Sequence, residues 1–131
     1  MPSIFSRIVN GEIPCYKVAE SSDFLAFLDI NPIIPGHTLV IPKRETDYIF
    51  DIEDKEFKEL FLFAKEVAKA LGQSISCERV GMAVIGLEVP HAHIHLVPIN
   101  GALDLDFSKP KMKLQPEQFK TIAESIASFL Q

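Results

Sequence analysis

The apolar positions of this sequence recur with two different periods, and the longer period marks a helix in the middle of the chain. Asp51 is the predicted N-cap, with acidic residues after it in the first turn, and Gly72 is the predicted C′ residue. Leu62 and Phe63 form a second apolar face, which indicates either a subunit contact or a partly exposed aromatic side chain. The residues at the i, i+3, i+4, i+7 spacing of an amphipathic helix are Phe57, Leu60, Phe61, Ala64, Val67, Ala68 and Leu71.

The shorter period, an alternation of apolar and polar residues, marks strands on both sides of this helix. The first two predicted strands are joined by a polar turn and form a hairpin. A short helix over residues 4–13, ended by Asn10 and Gly11, and a last helix with Pro116 at N1 complete the pattern. Strands in this order, with a long helix after the third, predict an antiparallel sheet covered by helices, an α+β fold. The predicted strands cover residues 15–19, 24–28, 38–41 and 80–85.

Length, charge and cysteine content narrow the class of protein. The 131 residues predict a single domain over residues 1–131. A net charge of −5 without a run of Lys and Arg argues against nucleic-acid binding. Cys15 and Cys77 are not clustered, and no signal peptide and no apolar run of the roughly 18 residues that cross a bilayer is present. The sequence therefore predicts a cytoplasmic protein without a membrane segment.

Three histidines stand at every second residue, which singles out one segment for chemistry. His91, His93 and His95 lie in an apolar run to Val97 that predicts a buried strand. Because residues i, i+2 and i+4 of a strand point to one face, the three rings should share a face, and the residues between them should face the core. Those predicted core residues are Ala92, Ile94 and Leu96.

The row of histidines is compatible with three roles. Rings whose hydrogen bonds are all satisfied would be structural. Two rings at i and i+2 could share a metal ion with a ligand from a neighbouring strand. A neutral imidazole could act as a nucleophile, with its tautomer set at the other ring nitrogen, while its neighbours donate protons to an anionic substrate. This last role needs no metal and uses every histidine.

Four blocks of the sequence resemble the histidine triad family. They are residues 4–14, 27–32, 35–43 and 91–97. These blocks cover residues 4–99 in the family's order and spacing, and they leave a C-terminal loop and helix at residues 100–131. The resemblance implies a five-stranded antiparallel sheet covered by helices, in a homodimer that joins two such sheets into one of ten strands.

The resemblance further implies a nucleotide hydrolase or transferase that acts at the α-phosphorus of purine nucleotides without a metal or other cofactor. In such proteins the middle histidine of the triad attacks phosphorus and forms a covalent nucleotidyl-histidine, and that position is His93 here. His91 and His95 match the flanking positions, where one ring holds the nucleophile and the other contacts the phosphate and the leaving group. His37 matches the family's fourth histidine.

The resemblance also implies a set of residues that bind the ribose and the base of a nucleotide. Asp29 matches the carboxylate that accepts both ribose hydroxyls, although a turn residue before Asn31 is the alternative interpretation. A ribose diol donates two hydrogen bonds, which suits a carboxylate acceptor. The positions that match the base-binding residues are Ile4, Phe5, Ile8, Phe27, Ile30 and Leu39.

Three features depart from the family's pattern. Glu88 stands where many members carry a hydroxyl that contacts phosphate, and it could pair with a base, face a cationic leaving group or point away. Ser3 and Ser6 occupy the Cys-x-x-Cys positions of a zinc-binding subset, so no structural zinc is expected. The chain has no Trp, so it does not match members that use a C-terminal Trp near the leaving group. Residues 103–112 do not match the family's pattern. The long irregular segment 98–115 is expected to cover a binding face.

The expected function is the hydrolysis of nucleoside 5′-phosphoramidates or related mixed phosphates. A nucleotide-binding regulatory protein with little turnover, which Glu88 would cause, is one alternative. The other alternative is a metalloprotein with His37, His91, His93 and His95 as ligands.

Overall fold

The structure is a computed structural model and describes residues 2–130. Five strands form one antiparallel sheet, in the spatial order β1-β2-β3-β5-β4. The strands are β1 Lys17–Glu20, β2 Phe24–Leu28, β3 Thr38–Pro42, β4 Arg79–Ala83 and β5 Ile94–Ile99. The α-helices are α1 Ile4–Val9, α2 Asp54–Ser74 and α3 Pro116–Ala127, and the 3-10 helices are Ile49–Asp51 and Ala102–Asp104. The predicted α+β fold with a five-stranded antiparallel sheet is confirmed.

The alternation of side chains along the central strands divides the core between the two faces of the sheet. Helices α2 and α3 cover one face, where Ala92, Ile94 and Leu96 pack as the histidine pattern predicted. The other face has a much smaller cluster beneath the short helix α1, which leaves room for a cavity on that side. The residues of this smaller cluster are Phe5, Leu25, Phe27, Leu39 and Ile41.

Both predicted ends of the central helix were wrong. Residues from Ile49 to Asp51 form a 3-10 turn, so α2 begins after Glu53, which is its N-cap. The helix runs through Gly72 to Ser74, and Ile75 is the C-cap residue that packs against the core. The apolar contact of Ile75 therefore outweighs the helix-ending tendency of a glycine three residues earlier.

The second apolar face of α2 divides between core and surface. Phe63 packs against Phe24, with ring centroids 5.6 Å apart, and lies partly buried at the edge of the core. Leu62 is 62% exposed. Within residues 2–130, no helix is long and apolar enough to cross a membrane.

Candidate active site

A cavity of about 420 Å³ opens on the α1 side of the sheet, a volume within the usual range of small-molecule sites. It lies between α1, the end of β2 and the segment that leads into β5. His91 does not line the cavity, although every other residue predicted for the site does. The predicted residues in its wall are Ile4, Phe5, Ile8, Phe27, Asp29, Ile30, His37, Leu39, His93 and His95.

The histidine segment is a strand only in its second half, which corrects the prediction that three rings share one strand face. β5 begins at Ile94, because the Ala92 amide donates to the Thr46 carbonyl of a loop, at 2.7 Å, rather than to a strand. His91 is fully buried, and the carbonyl of Pro42 accepts a hydrogen bond from its Nε2 at 2.8 Å. The ring of His91 is therefore fixed inside the protein, behind the cavity.

The backbone fixes the tautomer of His93. Its Nδ1 lies 2.8 Å from the carbonyl oxygen of His91, and a carbonyl can only accept, so Nδ1 carries the proton. In the neutral ring Nε2 then has a free lone pair. Because His93 lines the cavity, the site contains an imidazole in the tautomer that a nucleophile requires.

A second backbone group sets the opposite tautomer in His95. The amide of Ile33 donates to Nδ1 of His37 at 3.2 Å, so the proton of the neutral His37 ring sits on Nε2. That proton points at Nδ1 of His95, 2.9 Å away, and the neutral His95 ring must therefore carry its own proton on Nε2. The ring centroids of His93 and His95 are 4.8 Å apart. The ring with a lone pair on Nε2, His93, thus lies next to the ring with an N–H donor at Nε2, His95.

Burial keeps these partner rings neutral near pH 7. Loss of solvation lowers the pKa of His37 to about 4 and that of His95 to about 3, and nearby positive charge acts in the same direction. Burial also lowers the pKa of His91, although its bond to Pro42 opposes the shift. The hydrogen-bond directions derived for the neutral rings therefore hold at neutral pH.

The lowered pKa values predict a protein that loses stability in mild acid. Between the folded pKa values of about 4 and 3 and the ordinary histidine pKa of 6.5, the unfolded chain binds more protons at His37 and His95 than the folded chain does. From pH 7 to pH 5 we therefore expect the free energy of unfolding to fall by roughly 1–2 kcal/mol for each of the two histidines. Urea unfolding at the two pH values measures this change.

The His37→Gln variant should show a smaller difference between pH 7 and pH 5 than the wild type. Asp29, whose pKa is raised by burial, binds protons more readily in the folded state and acts in the opposite sense at lower pH. Equal free energies of unfolding for the wild type at pH 7 and pH 5 would show that these rings are not neutral when buried.

Asp29 is the carboxylate nearest to the histidines. Its Oδ1 accepts from the Asn31 amide at 2.8 Å, which is the contact expected of a turn residue, and its Oδ2 is 3.6 Å from Nε2 of His37. The other oxygen sites of the carboxylate face a cavity, so the turn contact and a ligand contact are compatible. Asp29, His37 and His95 could each place one ligand atom within 4.8 Å of the others.

This trio differs from the four-histidine ligand set considered from the sequence. The ring nitrogens of His91 bond Pro42 and Ser3, and Nδ1 of His93 bonds a carbonyl. Among the residues from 2 to 130, the structure brings only Asp29, His37 and His95 into a group of three potential metal ligands. A metal centred on all four histidines would require these bonds to break.

Phe107 and Lys111 are among the cavity residues that the sequence analysis missed. The long segment before α3 lies against the site as predicted, and it places Phe107 and Lys111 in the cavity wall. The Phe107 ring centroid is 4.6 Å from that of His95, and the Met112 amide donates to the Pro32 carbonyl at 2.8 Å. The only available signal was an aromatic residue and a cation in a segment too long for a simple connection.

Glu88 also lines the cavity, where it is exposed next to Leu87 at the rim. Its negative charge contributes to the raised pKa of Asp29, after the larger effect of burial. Glu88 is therefore close enough to the site for its charge to act on Asp29. The residues that line the cavity thus include two acidic residues and one lysine.

The fold and the site define an α+β protein with an apolar cavity, at whose floor two imidazoles have opposite tautomers. The sequence model of the HIT domain family matches residues 10–101, and the chain belongs to this family. Adenosine 5′-monophosphoramidase hnt1 of Schizosaccharomyces pombe is 35% identical over 130 residues, with 98% of each chain covered.

Solved structures of HIT family proteins have the same fold as this chain. A HIT-like protein involved in cell-cycle regulation from Bartonella henselae superposes with a TM-score of 0.87 and 26% identity, over 98% of this chain and 96% of that one. A member of the HIT family from Bacillus subtilis gives a TM-score of 0.75 and 32% identity, over 100% and 99% of the two chains. The relationship therefore extends over the full fold and includes the C-terminal helix.

Proposed function

We propose that this protein hydrolyses nucleoside 5′-phosphoramidates, or related mixed phosphates, at the α-phosphorus through a covalent intermediate on His93. The observation that carries the proposal is the pair of neighbouring rings in opposite tautomers, one with a lone pair and one with an N–H donor. The relative from Schizosaccharomyces pombe, named as an adenosine 5′-monophosphoramidase, supports the same reaction class.

The first step forms a bond between Nε2 of His93 and the α-phosphorus, while the phosphorus–nitrogen bond to the leaving group breaks. The leaving nitrogen takes the electron pair of the broken bond and a proton from solvent, and departs as ammonia or an amine. The Nε2–H of His95 donates a hydrogen bond to a phosphate oxygen, where negative charge increases in the transition state. The carbonyl of His91 accepts a hydrogen bond from Nδ1–H of His93 and so stabilises the positive charge that develops on that ring.

The second step returns the enzyme to its starting state. Water attacks the phosphorus of the nucleotidyl-histidine, the bond from phosphorus to Nε2 breaks, and Nε2 recovers its lone pair. The water proton passes to solvent and the nucleoside monophosphate leaves. No residue other than His93 changes its covalent bonding, and the proposed steps use no metal or other cofactor.

The cavity walls suit a purine nucleoside. Asp29 provides acceptor oxygens for a ribose diol, and its contact with Asn31 leaves lone pairs free. The base would lie between α1 and the sheet, where the smaller apolar cluster leaves the cavity open. Ile4 and Ile30 are 48% and 61% exposed, so binding a base there would remove apolar surface from water.

A second candidate function is nucleotide binding with little turnover. Glu88 favours it, because a carboxylate in the cavity wall repels a phosphate, and Asp29 adds a second negative charge. Lys111 opposes this effect with a positive charge in the same wall. The two functions differ in turnover and share the nucleotide site.

The test is release of AMP from adenosine 5′-phosphoramidate, with and without a chelator. We expect turnover that the chelator does not change. Release that the chelator abolishes would favour a metal bound by Asp29, His37 and His95. Binding of AMP without release would favour the regulatory function, and Glu88→Ser would then show whether the carboxylate suppresses turnover.

We also propose that the protein works as a cytoplasmic homodimer. Both cysteines are free thiols, which suits a reducing compartment. β4 is an edge strand with Met82 and Ile85 exposed beside it, at 44% and 46%, and a second copy would cover this edge. Joining two sheets at this edge would give the expected ten strands.

A further inference from the structure

A network of side chains behind the cavity connects the N-terminal helix to the triad. Ser3 is 5% exposed, and its Oγ lies 2.8 Å from Nδ1 of His91, a residue 88 positions away in the chain. The Ser3 amide and the Ser6 hydroxyl both donate to Oε1 of Glu45, at 2.7 and 2.6 Å. The Ser6 amide donates to Oγ of Ser3 at 3.0 Å.

The shortest hydrogen bonds of this network have donors that can be assigned from the partner atoms. Nε2 of His91 donates to the Pro42 carbonyl, so Nδ1 of the neutral ring must accept, and the Ser3 hydroxyl proton points at it. The Ser6 hydroxyl proton points at Glu45, because a carboxylate only accepts. The Ser6 hydroxyl also lies 3.4 Å from Nδ1 of His91, but the Ser3 hydroxyl is the nearer donor, at 2.8 Å.

The network leads directly to the proposed nucleophile. The carbonyl of His91 accepts from Nδ1 of His93, so the position of His91 sets the tautomer and the orientation of that ring. Phe5 packs edge-on against both rings, with centroid distances of 5.8 Å to His91 and 5.0 Å to His93. Movement of His91 would therefore change both the wall of the cavity and the angle at which Nε2 faces it.

We infer that Ser3, Ser6 and Glu45 are positioning residues, which lock His91 so that its carbonyl holds His93 in the nucleophilic tautomer. This inference rests on the proposed function of His93, although the tautomer itself can be observed without turnover. Ser3 supplies the decisive contact, since its hydroxyl is the donor within 3 Å of Nδ1 of His91. Glu45 holds both serines in place.

The test compares three variants of the full-length protein. Ser3→Ala should lower kcat for AMP release about tenfold, the effect of one buried hydrogen bond, with KM changed by less than about threefold. Ser3→Thr keeps the hydroxyl and should restore most of kcat. The matched control is Ser74→Ala, which removes a hydroxyl bond of 2.7 Å to Ser125 far from the triad and should leave kcat unchanged.

A spectroscopic readout separates this inference from the proposed reaction. Nitrogen-15 NMR of the histidine rings should show the His93 proton on Nδ1 in the wild type and a mixture of tautomers in Ser3→Ala. A wild type that releases no AMP would refute the proposed hydrolysis and leave the tautomer comparison intact. An unchanged His93 tautomer in Ser3→Ala, or equal losses of kcat in Ser3→Ala and Ser74→Ala, would overturn the inference.

Discussion

Replacing His93 with alanine should lower kcat for AMP release by roughly 10⁴-fold or more, the scale of loss that follows removal of a covalent nucleophile. The affinity for AMP should stay within about threefold of the wild type, because Asp29 and the apolar walls remain in place. Nε2 of His93 carries a free lone pair, because the proton of that ring sits on Nδ1. In His95 the proton sits on Nε2 instead. The two quantities are measured by single-turnover kinetics and by calorimetric titration with AMP.

Free imidazole provides a control for this substitution. The alanine leaves a space where the ring stood, and added imidazole should enter it and restore part of the turnover. The rescued rate should rise with imidazole concentration and be absent in a variant that lacks both His93 and Asp29. Turnover of His93→Ala at the wild-type rate would exclude His93 as the nucleophile, and loss of AMP binding would show that the substitution damages the site itself.

Replacing Gly36 with alanine should lower the free energy of unfolding by roughly 2–4 kcal/mol, from backbone strain and overpacking together. Gly36 has φ of +96°, in the left-handed region that side chains disfavour. A Cβ there would overlap Cδ1 of Ile75 and lie 3.3 Å from side-chain atoms of Leu71 and Pro98. Because His37 follows directly, the same change should displace its ring and reduce activity.

Gly101→Ala is the matched control for Gly36→Ala. Gly101 has φ of −157°, and a Cβ added to it would meet no atom within 4 Å. Its free energy of unfolding should stay within about 0.5 kcal/mol of the wild type. Urea unfolding of both variants gives the comparison, and equal stability of Gly36→Ala and the wild type would show that the backbone adapts without strain.

Periodicity in the sequence was sufficient to predict the class of fold, an antiparallel sheet covered by helices. β2 was predicted with its observed bounds, and the predicted α2 stripe contains four of the five buried residues of that helix. The apolar residues that bury these elements recur at a fixed spacing along the chain, and this spacing can be recognised in the sequence. The ends of α2 depend instead on the tertiary contact of Ile75 and on a 3-10 turn, and the predictions of Asp51 and Gly72 therefore failed.

Ten of the eleven residues predicted for the site line the cavity, but the tautomer of each histidine could not be predicted. The triad and Asp29 are visible in the sequence, and the structure places His37, His93 and His95 in one cavity. The tautomers come from the carbonyl of His91 and the amide of Ile33, and backbone groups carry no signature in a sequence. Pairs such as Ser3 with His91 are equally invisible, because the two residues are 88 positions apart.

The pairing of β3 with β5 has a consequence for how the protein folds. The contact between His37 and His95 closes a loop of 58 residues that contains all of α2, whereas β1, β2 and β3 follow one another as a local meander. Closing a long loop costs chain entropy before native contacts compensate, so local hairpins form more readily than this pairing. The reactive centre therefore belongs to the slow, long-range part of the folding reaction, and a chain that has gained secondary structure is still inactive until that loop closes.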